Sequence, residues 1–263
     1  MSSLLNFFGI ALLVYGLLTA FVFCTQDSLL FYSSSSDPDL ERRYQEYKIS
    51  FNAEEAELQG WFIPGSDSVR LNLVFYGGNG QELSRNIDSI TSIGDYNYVF
   101  VNYRGYGSST GQPSEKHLKS DALLILDVLA DQKRIELANT VIMGRSLGTG
   151  VATYVAANRN IKGLVLISPF NSIEAIASDI YFYLPVKWLI RHPFRSIDYV
   201  SDISAPTLIL KAENDRVIPG SYSDSLAKMW RSPLNVVELK GTHHNYIETL
   251  QYYDVVRSYL QSL

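Results

Sequence analysis

The chain has 263 residues, 46% of them hydrophobic and 19% charged, and a formal net charge of -5. That is a globular composition with room for one large α/β domain. No Lys/Arg run exceeds two residues, so the electrostatic footprint of a nucleic-acid binder is absent, and the one cysteine, Cys24, excludes both a disulfide framework and a cysteine metal site.

Leu4 to Cys24 is an uncharged run of 21 largely apolar residues. About 20 such residues span a bilayer. A cleavable signal peptide is the competing reading, but no Lys or Arg precedes the run and no small-x-small site follows it. Residues 1–25 are therefore predicted to be a single-pass N-terminal transmembrane anchor. Its orientation is open, because the first basic residues, Arg42 and Arg43, lie far downstream. Residues 26–43 read as a linker, since Ser33-Ser-Ser-Ser36-Asp37-Pro38 has loop composition.

One domain over residues 44–263 follows. Tyr44–Phe51 and Glu57–Ile63 read as an antiparallel hairpin. From Leu71 the pattern alternates. Strands are predicted at Leu71–Tyr76, Tyr96–Asn102, Thr140–Met143, Gly163–Ile167, Thr207–Leu210 and Asn235–Leu239. Helices are predicted at Glu82–Ser92, Ser114–Leu129, Ser146–Ala157, Ser221–Trp230 and Tyr246–Leu260. The strands are near-continuous apolar runs, as in sheets buried on both faces. Eight strands result, mostly parallel, with helices on both faces. Residues 171–204 break the rhythm. They are rich in aromatics and interrupted by Pro185 and Pro193, and they suit a short helical lid insertion.

Gly144-Arg145-Ser146-Leu147-Gly148 is a complete G-x-S-x-G between a predicted strand and a predicted helix. That context is a nucleophile elbow: a sharp turn exposes the serine Oγ at a helix N-terminus. A serine hydroxyl needs a base. His243 and His244 follow the last strand, and sites in open α/β sheets form at the carboxyl ends of strands. Asp215 follows the strand before, with Glu213 as a rival acid. The order Ser146, Asp215, His244 is that of an α/β-hydrolase triad. Tyr76-Gly77-Gly78-Asn79-Gly80 follows the first buried strand. Its Asn79 N–H and the Leu147 N–H are the predicted oxyanion-hole donors. Asn102 to Gly111 is not a nucleotide loop, because its glycines fall as G-x-G-x-x-x-G.

These motifs resemble α/β-hydrolase-fold serine hydrolases, and among them the BEM46-like group with its mammalian ABHD12-, ABHD13- and ABHD17-like members. The resemblance is carried by Asn102-Tyr-Arg-Gly-Tyr-Gly-Ser with Pro113-Ser-Glu115, Gly144 to Gly148, Ser168-Pro-Phe170, Asp215-Arg-Val-Ile-Pro219 and His244-Asn245, and by the anchor with Gln26 to Tyr32. Two places depart from the group. Gly77-Gly78-Asn79 stands where it often has His-Gly-Asn, and Thr242-His243-His244-Asn245 where it often has Gly-His-Asn. Alignment on the asparagine selects His244 as base. The resemblance implies the α/β-hydrolase fold, with Ser146, Asp215 and His244 in the catalytic roles and no metal or organic cofactor. The expected activity is cleavage of acyl esters or thioesters, with a small-molecule or lipid acyl substrate and the membrane as the partner of the N-terminal helix. A peptidase of the same fold and a membrane-tethered binding protein without turnover are the alternatives.

Overall fold

The computed structural model describes residues 2–66 and 71–263. The first helix, α1 (Ser2–Leu30), is 29 residues long, about 43 Å at 1.5 Å per residue. From Ser3 to Leu30 it is apolar and long enough to cross a membrane; most of its residues are exposed and none is fully buried. The helix runs past the expected boundary at residue 25, and the segment after it is only partly a linker. Pro38–Arg43 forms α2, capped by the Asp37 carboxylate on the Asp39 and Leu40 N–H groups, with proline in the first turn. Between the two helices the chain is extended, and Ser34 O accepts from the Gly107 N–H at 2.7 Å.

Among the described residues, eight strands form one sheet: β1 (Lys48–Ala53), β2 (Ala56–Ile63), β3 (Asn72–Tyr76), β4 (Asn97–Val101), β5 (Thr140–Arg145), β6 (Gly163–Ile167), β7 (Thr207–Ala212) and β8 (Leu234–Leu239). Their spatial order is β1-β2-β4-β3-β5-β6-β7-β8. β1 pairs antiparallel with β2, and β2 with β4; every other pair is parallel. β1 starts four residues later than the apolar pattern suggested, because Gln45–Tyr47 forms a 3-10 turn.

The continuous apolar strands divide their side chains between two cores. Val74, Tyr76, Ile142 and Leu166 face α4 (Glu115–Asp131) and α5 (Leu147–Asn158). Leu73, Phe75, Met143 and Ile167 face α3 (Ile87–Thr91) and α9 (Leu250–Gln261). This period of two is why both faces need helices. The 171–204 excursion contains α6 (Ile173–Ile180), capped by Ser172, and the single turn α7 (Val186–Leu189). The helix after β7 is α8 (Gly220–Ala227).

The strand order reverses between β3 and β5, which are direct neighbours with Tyr76 opposite Gly144. A crevice forms at such a switch point, beyond the carboxyl ends of the strands. The loops after β3, β5, β7 and β8 all open there.

Candidate active site

Ser146 sits between β5 and α5 with φ 50° and ψ −119°, a left-handed conformation that an L-residue adopts only under strain. The sheet imposes it. The Ser146 N–H donates to Ile167 O at 2.9 Å, extending the β5–β6 ladder, while Thr149 N–H and Oγ1 both donate to Ser146 O and start the helix. Close packing fixes the turn. A Cβ on Gly148 would stand 2.2 Å from Tyr76 O, and one on Gly144 would stand 2.5 Å from Gly148 O.

His244 joins this serine to Asp215. Its Nε2 lies 3.0 Å from Ser146 Oγ and its Nδ1 lies 2.8 Å from Asp215 Oδ2. Both partners are well covered, the Asp215 side chain being 2% exposed and that of His244 10%. Asp215 Oδ1 also accepts from the Val217 and Ile218 N–H groups at 3.0 and 2.7 Å. Burial pushes this carboxyl up, but the hydrogen bonds from His244 and Ile218 outweigh it and hold the carboxyl below its ordinary value. Asp215 therefore stays an anion beside the imidazole.

The rivals lie elsewhere. Glu213 accepts from the Gly241 N–H at 2.7 Å and pairs with Lys240 at 3.1 Å. The backbone hydrogen bond from Gly241 comes first, then the Lys240 ammonium, in holding its carboxyl below the ordinary value. His243 is exposed, and its Nδ1 lies 3.2 Å from Asn214 O.

The Gly77-Gly78-Asn79 loop runs beside the serine; a Cβ on Gly78 would lie 3.3 Å from Ser146 Cβ. Leu147 is the first residue of α5, so its N–H has no carbonyl within the helix. The Asn79 side chain is tied down. Its Oδ1 accepts from the Tyr32 N–H and the Tyr106 hydroxyl, both at 2.8 Å. Burial raises the Tyr106 phenol above its ordinary value, so it remains a donor. Gly77 O accepts from the Tyr103 hydroxyl at 2.9 Å.

Two supporting roles were not evident from the motifs. Arg145, the variable residue before the serine, donates from Nη2 to His244 O at 3.0 Å and lies 3.6 Å from Glu248. The elbow thus holds the histidine loop directly. Arg104 lies in the Asn102–Gly111 loop and makes a bidentate pair with buried Asp121, at 2.6 and 2.8 Å, and also donates to Glu54 O. That loop is a structural clamp between β4, the hairpin and α4. Proximity to partners in the fold was the missing signal in both cases. Among the described residues, no three His, Cys, Asp or Glu side chains gather as metal ligands would.

The carboxylate, imidazole and hydroxyl in line, with free N–H groups at a helix start, can do acyl-transfer chemistry. Comparison with known proteins agrees with the fold. A family model described as alpha/beta hydrolase fold matches residues 65–189. The uncharacterized protein Rv2307c of Mycobacterium tuberculosis is 31% identical over 209 residues, which cover 77% of this chain and 74% of that protein. Alpha/beta hydrolase domain-containing protein 17B of Xenopus tropicalis is 30% identical over 190 residues, covering 71% of this chain and 65% of that protein. The crystal structure of an alpha-beta hydrolase from Vibrio vulnificus superposes with a TM-score of 0.69 at 24% identity, covering 84% of each chain. The chain belongs to the α/β-hydrolase family, as a member of ABHD type.

Proposed function

We propose that this hydrolase is a membrane-anchored serine hydrolase that cleaves acyl esters or thioesters. The observation that carries the reading is the line Asp215–His244–Ser146, with contacts of 2.8 and 3.0 Å at the carboxyl ends of three strands. His244 accepts the Ser146 proton through Nε2 as Oγ attacks the carbonyl carbon. Asp215 fixes the imidazole tautomer and stabilises its charged form. The developing oxyanion takes hydrogen bonds from the N–H groups of Leu147 and Asn79. His244 then protonates the leaving group, and a water, activated by the same histidine, hydrolyses the acyl-enzyme. The exposed apolar surface of α1 supports the anchor, and the hydrogen bond from Tyr32, just beyond that helix, to Asn79 supports a site close to the membrane surface.

A fluorophosphonate probe tests this. The wild-type protein is expected to label covalently and Ser146→Ala is not. A folded wild-type protein that resists the probe ends the serine-hydrolase reading. Labelling of both proteins moves the nucleophile away from Ser146.

A further inference from the structure

We propose that the apolar cavity between α1 and the lid binds a long acyl chain that enters along the anchor helix from one bilayer leaflet. The proposal rests on the hydrolase reading above and makes the anchor part of the substrate site. The cavity holds about 350 Å³, within the range of ligand sites. One wall is the end of α1, with Val22 and Leu29; the other is the lid, with Ile173, Ile176 and Ala177 of α6.

Its position ties it to the candidate site from both flanks. Val217 lines the cavity, and the Val217 N–H donates to Asp215 Oδ1 at 3.0 Å. Leu30 also lines it, two residues before Tyr32, whose N–H donates to Asn79. A chain lying there has its carbonyl end between the acid loop and the Asn79 loop, where the Ser146 hydroxyl stands.

The junction of anchor and lid is built, which a mere tether does not require. Gln26 donates to Leu189 O at 3.1 Å and accepts from the Arg191 N–H at 2.8 Å. Asp27 takes contacts from Arg191 and His192, each at 3.1 Å. Of the polar side chains in the lining, Gln26 and His192 thus have their own partners; apart from the Tyr181 phenol, the rest of the lining is apolar. Farther along the helix the Tyr15 hydroxyl donates to Tyr183 O at 2.9 Å. From Gln26 to Tyr15 is about 16 Å along the axis, close to the depth of one leaflet. The lid therefore follows the helix into the acyl region, with Phe182 and Trp188 exposed at 82% and 89%. A long chain reaches the cavity without crossing water.

The test compares p-nitrophenyl palmitate with p-nitrophenyl butyrate on the full chain in detergent micelles, for wild type, Ala177→Trp and Leu29→Trp. An indole from either wall fills the space. The palmitate-to-butyrate ratio of kcat/KM is expected to fall about tenfold or more in each, which is the lost burial of about two methylenes. Wild-type ratios in both variants, with wild-type melting curves, overturn the cavity. Palmitoyl phosphatidylcholine in vesicles and an S-palmitoylated peptide on the same vesicles then tell which carrier presents the chain. If the wild type turns over no ester, the hydrolase reading fails, and the cavity is judged by binding alone. Ser146→Ala is expected to bind a fluorescent palmitate analogue, and Ser146→Ala with Ala177→Trp to lose it. Equal binding by both overturns the cavity.

Discussion

The Asn79 side-chain oxygen accepts the backbone N–H of Tyr32 at 2.8 Å, so the first residues beyond α1 hold the loop beside Ser146. Tyr106 donates to the same oxygen from the other side. Asn79→Ala removes both contacts of this side chain, keeps the Tyr103 hydroxyl on Gly77 O, and leaves the loop's backbone donors in place. The expected result is a kcat about tenfold lower with KM little changed, milder than the ~10²–10³ for losing a donor itself. Asn79→Asp keeps an acceptor oxygen and should recover most of the loss. Steady-state ester hydrolysis reads both; a wild-type kcat in Asn79→Ala would detach the loop from catalysis.

Asp215→Asn leaves the space filled but removes the anion. The imidazole loses the partner that fixes its tautomer, and kcat is expected to drop by about 10⁴. The same residue sets an acid-side stability. Its carboxyl is held below the ordinary value, so its contribution is present above the unfolded-state pKa, about 3.9, and is lost as pH falls through the lower folded value. Melting curves from neutral pH down to about pH 3 should show the wild type losing its advantage over Asp215→Asn at the acid end. A constant gap would mean that the carboxyl has the same affinity for protons in both states.

Gly148→Ala is expected to be among the worst conservative changes in the chain. The added Cβ meets Tyr76 O at 2.2 Å and Gly77 O at 2.5 Å, both backbone atoms that cannot swing away. Relief requires α5 to lift from β3, at a cost of about 1–3 kcal/mol or more. Thermal melts and soluble yield measure it. A variant as stable as wild type would show that the helix has slack at the elbow.

Arg104→Ala should destabilise by about 3–5 kcal/mol, because Asp121 is left buried without its guanidinium. The hydrogen bonds that Arg104 donates to the Asp121 carboxylate come first in raising its pKa, against the opposing effect of burial. Arg104→Met with Asp121→Leu removes both charges and should recover much of the loss. Denaturant unfolding of the three proteins distinguishes a buried pair from a surface one; equal stability throughout would place the pair in solvent.

The strands and the elbow were legible because their causes are local. Strands covered on both faces must be apolar throughout, and β6 was read to the residue at Gly163–Ile167. Ends set by tertiary contacts were not. Gln26 and Asp27 look like the start of a linker, yet α1 continues through them because Leu189, Arg191 and His192 supply their partners. The Asp37-Pro38 helix start was masked by the serine run before it. The last helix begins where Thr249 accepts from the Tyr252 N–H, after a turn in which Tyr246 donates to His243 O. Among the candidate site residues, Ser146, Asp215 and His244 announced themselves by order along the chain. Arg145 and the Asn79 side chain act on partners 99 and 47 residues away, which no motif encodes.

The left-handed backbone of Ser146 has a bearing on how such a chain drifts over generations. A non-glycine residue in that region carries about 1–3 kcal/mol of strain. Ser146→Gly would relax it, so the mutant that abolishes turnover is expected to melt higher than the parent. At this position, selection for stability and selection for activity pull in opposite directions. With Ser146 as the nucleophile proposed above, backbone strain favours glycine at this position and turnover favours serine.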